Sequence, residues 1–233
     1  MYIIFLRKKH LLLFIMFTVV IVLVFGSMIY FRDKDVPTVN PIYLGNTKDK
    51  TMAFTINVDW GEDVLPGMLA ALRSKNVKAS FFITGRFARK FPEIVEQIAK
   101  EGHEIGNHGY SHPHADKLSF EQNKKEIADT EKALQELGIT VSKIFAPPYG
   151  EHKPHVVAAA EALGYKTIMW TADTVDWQNP SAEVIKQRVL SKADNGVIVL
   201  IHPKKCTLDA LPTLIDALKD KGFALKTVSE ILQ

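Results

Sequence analysis

Residues 51–63 read TMAFTINVDWGED, an apolar run that ends in an amide and three acids: Asn57, Asp59, Glu62 and Asp63. Its first eight residues have the β-branched and aromatic content of a buried strand. Outward from it, the same pairing of apolar run and polar end recurs. Residues 196–201 (GVIVLI) precede His202, 104–107 precede His108 and His112, and 166–171 precede Asp173 and Asp176; the run 143–146 closes in FAPPYG, residues 145–150. Residues 77–84 and 223–228 bring the total to about seven strands. Helical spacing fills the intervals at 65–75, 92–100, 119–137, 154–163, 181–192 and 208–221, and a terminal helix starts at 229. Ser119, with Gln122 three residues on, caps the longest of these. Strand–helix alternation predicts an α/β domain with a parallel sheet under helices, either doubly wound or a small (β/α) barrel. In both architectures the C-terminal strand ends carry the site, and five strand ends here present polar groups.

Composition supports one folded domain. Of 233 residues, 47% are apolar and 24% charged, which excludes a disordered or low-complexity chain. A single cysteine, Cys206, excludes a disulfide framework and a thiolate zinc finger. The formal charge of +3 is unevenly placed: residues 1–32 hold four of the 29 basic residues and no acid, so the rest of the chain is one charge negative. A nearly neutral domain has no electrostatic footprint for nucleic acid. Residues 11–31, LLLFIMFTVVIVLVFGSMIYF, carry no charge and follow Arg7, Lys8 and Lys9. That length spans a bilayer core and the basic residues stay cytoplasmic, so a single-pass transmembrane signal anchor is expected at 1–32, with a cleaved signal peptide as the rival reading. Residues 33–49, polar and with two prolines, read as a linker. The domain at 50–233 is then expected at the cell membrane, outside the cytoplasm.

The polar strand ends suggest chemistry. His108 and His112 are four apart, a spacing at which two neutral imidazoles face one metal ion, and Asp59 is the natural third ligand from another strand end. Two histidines and one carboxylate leave positions open for water and substrate. His114 is a further candidate ligand, or a surface residue after Pro113. His202 suits proton transfer near neutral pH, and Asp173 could orient it, or could simply cap a turn in TADTVDWQNP. Trp60 and Trp177 either pack or offer stacking faces to a sugar.

Together these residues resemble the polysaccharide deacetylases of carbohydrate esterase family 4, the NodB-homology group, over roughly residues 50–233. NHGYSHPH (107–114) resembles the family's two-histidine metal motif, FAPPYG its Arg-x-Pro-x-Gly segment, DTVDW (173–177) its Asp-x-x-Asp-Trp segment and LIH (200–202) its Leu-x-His segment. TINVDWGED and the anchor look most like the sporulation-associated peptidoglycan deacetylase branch. The resemblance implies a distorted (β/α) barrel and metal-assisted removal of N-acetyl groups from an amino-sugar polymer of the cell wall. By position it implies Asp59, His108 and His112 around a divalent metal, with Zn²⁺ the expected ion. His202 would be the general acid, tuned by Asp173. Backbone N–H groups near Tyr149 would hold the oxyanion. Trp60, Pro147, Tyr149, Trp177 and Leu200 would line the substrate groove.

Two departures stand out. The family's catalytic-base aspartate is Asn57 here, and the arginine that pairs with it is Ala146. An amide cannot take the proton, and losing one general base typically costs ~10²–10⁴-fold in rate. Asp59, Glu62 or Asp63 could substitute. The sequence therefore supports a weakened deacetylase and, as the alternative, a catalytically silent glycan-binding protein.

Overall fold

The computed structural model describes residues 13, 15–22 and 40–233. Residues 13 and 15–22 are helical. Among the described residues no helix is long and apolar enough to cross a membrane, so the expected transmembrane helix has no support there. The rest of the 11–31 span, and the linker before residue 40, lie outside the described residues. The described residues 40–233 form one compact unit.

That unit is built on eight short parallel strands. They are β1 (Thr51–Val58), β2 (Ser80–Ile83), β3 (Glu104–Asn107), β4 (Ile144–Phe145), β5 (Lys166–Thr167), β6 (Ala172–Asp173), β7 (Ile198–Ile201) and β8 (Ala224–Lys226). The spatial order is β5-β4-β3-β2-β1-β7-β6, with β8 beside the start of β1. The sheet curls into a half-barrel whose ends, β5 and β6, do not pair with each other. Between them runs the segment 42–45, part of the expected linker. Ile42 N–H donates to Thr167 O (2.9 Å), Met169 N–H donates to Ile42 O (2.8 Å), and Gly45 N–H donates to Gly196 O (2.7 Å).

Helices cover the outer face: α1 (Leu65–Ser74), α2 (Gly85–Lys90), α3 (Pro92–Lys100), α4 (Phe120–Gln135), α5 (Pro154–Glu161), α6 (Ala182–Leu190), α7 (Lys205–Asp220) and the short α8 (Val228–Ile231). Two elements differ from the sequence reading. Residues 166–171 do not form one strand: Met169 still bonds Ile42, but Thr171 N–H donates to Ile198 O (3.0 Å), so the chain crosses from one sheet edge to the other and splits into β5 and β6. The helix α2 was not expected. Its six residues, GRFARK, are too short to show a hydrophobic period, and the cap is supplied by Thr84, whose Oγ1 accepts from Phe87 N–H (3.3 Å).

The strand β1 shows how the fold aims side chains. All eight residues are buried. Successive side chains on a strand alternate faces. Met52, Phe54, Ile56 and Val58 join the outer core with α1, α3 and α7 residues such as Leu69, Ile98 and Leu214, whereas Ala53 joins the inner cluster with Phe82, Ile144 and Ile198. Asn57 shares the inner parity, so the strand that builds the core also delivers this amide to the barrel mouth. Gly106 on β3 is required by the same crowding: a Cβ there would sit 2.8 Å from the Phe82 ring and 2.9 Å from Ile144.

Candidate functional site

A pocket of about 500 Å³ opens at the C-terminal strand ends. Asn57, Trp60, His108, His112, Tyr149, Asp173, Trp177, Leu200 and His202 all line it, joined by Gly150 and Trp170, which the sequence reading had not singled out. Pro147 is buried behind the rim. Trp60, Tyr149 and Trp177 are 40%, 60% and 57% exposed, so large aromatic faces stand free around the mouth.

The histidine side begins where β3 ends. Asn107 Oδ1 accepts from Gly109 N–H (2.9 Å) while its Nδ2 donates to Ile127 O (2.8 Å), which turns the chain outward. Glu126 of α4 then accepts from Tyr110 N–H (2.8 Å), Ser111 N–H (2.7 Å) and Ser111 Oγ (2.9 Å). His112 sits at φ 56°, a left-handed conformation that this brace sustains. The two rings meet edge to face, 5.0 Å between centroids. His108 Nδ1 bonds Ala146 O (2.6 Å), which leaves its Nε2 free of the proton. Burial, followed by the charge of His112, pushes the His108 pKa down to about 3, and burial also lowers that of His112. Both imidazoles are therefore neutral at pH 7.

The acids next to them are arranged differently from the sequence expectation. Asp59, expected as a metal ligand, has its side chain only 8% exposed and both oxygens committed. Oδ1 accepts from Thr84 Oγ1 (2.9 Å) and Arg86 Nε (2.6 Å), and Oδ2 accepts from Arg86 Nη2. That pairing raises the Arg86 pKa further. Among the described residues no group of three or more His, Cys, Asp or Glu side chains is arranged to hold a metal ion. The two imidazoles fit half of a His₂-carboxylate site; the carboxylate half is spent on a guanidinium, so the set as arranged does not fit the metal that the resemblance implied. Asn57, at the base position, is 7% exposed and its Oδ1 has no protein partner. Ala146 is buried against Phe82 and Ile168.

The opposite wall is fully wired. His202 Nδ1–H donates to Asp176 Oδ1 (2.7 Å), His202 N–H donates to Asp176 Oδ2 (2.6 Å), and Thr207 Oγ1 donates to the same oxygen (2.7 Å). Asp176 is fully buried. Burial alone would raise its pKa; the hydrogen bonds from His202 and Thr207 outweigh burial and hold it below the usual carboxylate range. The expected partner, Asp173, instead accepts from Val175 N–H (2.7 Å) and caps the turn that follows β6. The Trp60 ring lies parallel to the His202 imidazole, 6.2 Å between centroids and 14° between planes, with Lys204 Nζ 5.0 Å from the indole. His114 stacks on Tyr149 (4.2 Å) and bonds Glu151 (2.8 Å), and it does not line the pocket.

Sequence reasoning missed Arg86, Asp176 as the acid that pairs with His202, and the Glu126 brace. Arg86 had one available signal, a base directly after the strand that runs beside β1. DTVDW offered two acids, and spacing alone does not choose between them.

Comparison with known proteins follows the same lines. A family model described as polysaccharide deacetylase matches residues 44–168. The uncharacterized protein YlxY of Bacillus subtilis (strain 168) is 40% identical over 215 residues, covering 87% of this chain and 67% of that protein. A peptidoglycan-N-acetylglucosamine deacetylase of Bacillus cereus is 37% identical, over 76% of this chain and 67% of the relative. Among solved structures, wild-type BA3943 of Bacillus anthracis, described as a CE4 family pseudoenzyme, superposes with a TM-score of 0.80 at 37% identity, covering 83% of this chain and 69% of that one. A mutant of BA3943 described as having restored enzymatic activity gives 0.81 at 36%, over 83% and 71%.

Proposed function

We propose that this chain, which belongs to the polysaccharide deacetylase family, is a binding protein for an N-acetylated cell-wall glycan, with peptidoglycan the expected polymer, in which the hydrolytic half of the site has been disabled. The observation that carries this reading is the state of the acids at the end of β1. Asp59 is saturated by Arg86 and Thr84, and Asn57 offers an amide where a base would be needed. The similarity to a pseudoenzyme supports the same reading.

The residues that remain suit recognition. Exposed Trp177 and Tyr149 give apolar faces on which sugar rings stack, and Leu200 floors the pocket with methyl groups. The unpartnered Asn57 Oδ1 can accept from the N–H of an acetamido group; a buried acceptor left without a donor costs about 1–3 kcal/mol, so a ligand that supplies the donor gains from it. His202, held through Nδ1 by Asp176, directs Nε2 at the ligand. The uncharged run at 11–31 behind three basic residues supports display outside the cytoplasm from a membrane segment.

A second reading, a slow hydrolase, has one observation in its favour. A carboxylate-oriented imidazole is an acid catalyst's arrangement, and binding alone does not need it.

The test is co-sedimentation of the full chain with insoluble peptidoglycan, native and chemically de-N-acetylated, in the presence of chelator, with acetate release measured in parallel with and without added Zn²⁺. Retention on the acetylated polymer alone, without acetate release, is the expected result. Metal-dependent acetate release by the unmodified protein overturns the reading in favour of the enzyme. Equal or absent retention on both polymers removes the binding function.

A further inference from the structure

Arg86 holds an unusual place. Its backbone is pinned to the histidine loop: Arg86 N–H donates to Tyr110 O (2.9 Å), and Gly85 N–H donates to Gly109 O (3.1 Å), both between His108 and His112. Gly85 is obligatory there, since a Cβ would collide with the Tyr110 ring. From that position the guanidinium reaches Asp59 through two nitrogens, one to each carboxylate oxygen, the fork geometry that suits arginine and that lysine cannot match. Thr84, which caps the same helix, adds a third donor to Asp59. The carboxylate is buried while the Arg86 side chain is 51% exposed, so the cation stands between Asp59 and solvent.

We propose that Arg86 is a built-in cation that takes the place of the divalent ion: it satisfies the carboxylate arm of the His₂-carboxylate set, and a metal can enter only by displacing it. The physical argument is competition for one charge. Asp59 is the carboxylate bonded at this wall, and a divalent ion beside His108 and His112 would lie close to a fixed positive charge that water screens only partly. The two cations exclude each other, and the covalently tethered one is always present at high effective concentration. The pocket then binds its glycan in a metal-independent way. This inference rests on the reading of the chain as a binding protein, and its test is independent of glycan.

The experiment is equilibrium dialysis of Zn²⁺ against the full chain and the variants Arg86→Met, Arg86→Gln and Arg86→Lys, each checked for folding by circular dichroism. Met and Gln remove the charge and are expected to tighten Zn²⁺ binding at least tenfold at one site per chain. Lys keeps a charge and is expected to stay near the unmodified protein. Adding Asp59→Asn or His112→Ala to Arg86→Met is expected to abolish the gain. Unchanged Zn²⁺ affinity in both folded neutral variants overturns the proposal, as does a gain that survives Asp59→Asn. Should one variant misfold, the other neutral one decides. Loss of glycan retention with the Zn²⁺ results as expected would instead discard the binding function and leave the role of Arg86 standing.

Discussion

The two walls of the pocket have met different fates. On the β7 side, His202, Asp176 and Thr207 form a closed set in which the carboxylate has three donors, two of them from His202, its ring Nδ1–H and its backbone N–H. On the β1 side the same kinds of residue are present, two histidines and an aspartate, yet they do not converge. Asp59 turns to Arg86, and Asn57 and Ala146 offer neither acid nor base. The difference teaches that one carboxylate can be diverted to a new partner with the fold intact. The loop that carries His108 and His112 remains fully braced by Asn107 and Glu126 although the carboxylate it would share is engaged elsewhere. Coupled losses are also physically coherent: an arginine at position 146 without its carboxylate would be a buried unpaired charge, which costs several kcal/mol.

The largest effect expected from this contrast comes from repairing the β1 wall. Asn57→Asp with Ala146→Arg, placed in the Arg86→Met background and supplied with Zn²⁺, is expected to release acetate from N-acetylglucosamine oligomers about 10²–10⁴-fold faster than Arg86→Met alone, the usual contribution of a general base. A silent triple variant with stoichiometric bound metal would show that the β7 wall is also defective, and would break the comparison.

The next effect probes the intact wall. Asp176→Ala leaves the donors of His202 and Thr207 without their acceptor in a buried place. A loss on the order of 3 kcal/mol in urea denaturation is expected. The matched change on the other wall, Asp59→Ala, should cost clearly less, because half-exposed Arg86 can turn to water. Equal losses would mean that the Arg86 pair is as integral as the Asp176 set.

Acid should separate the two walls along the pH axis. His108, pushed down to about 3, and His103 near β2, pushed down by burial to about 4, are neutral when folded and take up protons near pH 6.5 when unfolded. Between those values the unfolded chain binds more protons, so their stabilisation is complete above about pH 6.5 and is lost as the pH falls toward 4. Asp176 works in the same sense but in a lower window: its depressed pKa adds stability that is complete above the unfolded carboxylate value of about 3.9 and is lost only below it. The urea midpoint should therefore drop between pH 7 and pH 5, while the hydrogen-bonded His202 amide stays protected from exchange. Loss of that protection at pH 5 would show that the walls fail together.

The smallest effect is at the rim. Trp177→Ala is expected to weaken glycan retention about fivefold, in line with the ~1 kcal/mol of a stacked aromatic. Lys204→Ala, which removes the cation over Trp60, should weaken it by about threefold. Both are read from binding isotherms with chitin-type oligomers, and an unchanged isotherm for Trp177→Ala would remove the aromatic platform from the account.

Much of this architecture was legible in the chain. The alternation in 51–58 dictates which side chains of β1 face the helices, and the polar groups at the ends of the apolar runs mark the mouth of the barrel. The motifs NHGYSHPH, FAPPYG, DTVDW and LIH identify the family because each occupies its own strand end. The departures at Asn57 and Ala146 could also be read directly, since they are single letters in otherwise matching motifs.

What the one-dimensional pattern determined is therefore the set of strands, the parity that aims Asn57 at the pocket, and the chemical types gathered at the strand ends; these are local properties of alternation and composition. Tertiary structure alone decided which groups pair. Asp176 rather than Asp173 pairs with His202 because Asp173 ends β6 opposite Leu200 and caps its own turn, and that turn brings the second acid under His202. Asp59 was claimed by Arg86 because β1 and β2 are neighbours, so their ends and the helix that follows β2 converge. The run 166–171 broke in two because segment 42–45 and β7 compete for its hydrogen bonds. In each case the deciding partner lies far away along the chain, and only the curl of the sheet brings it within hydrogen-bonding distance.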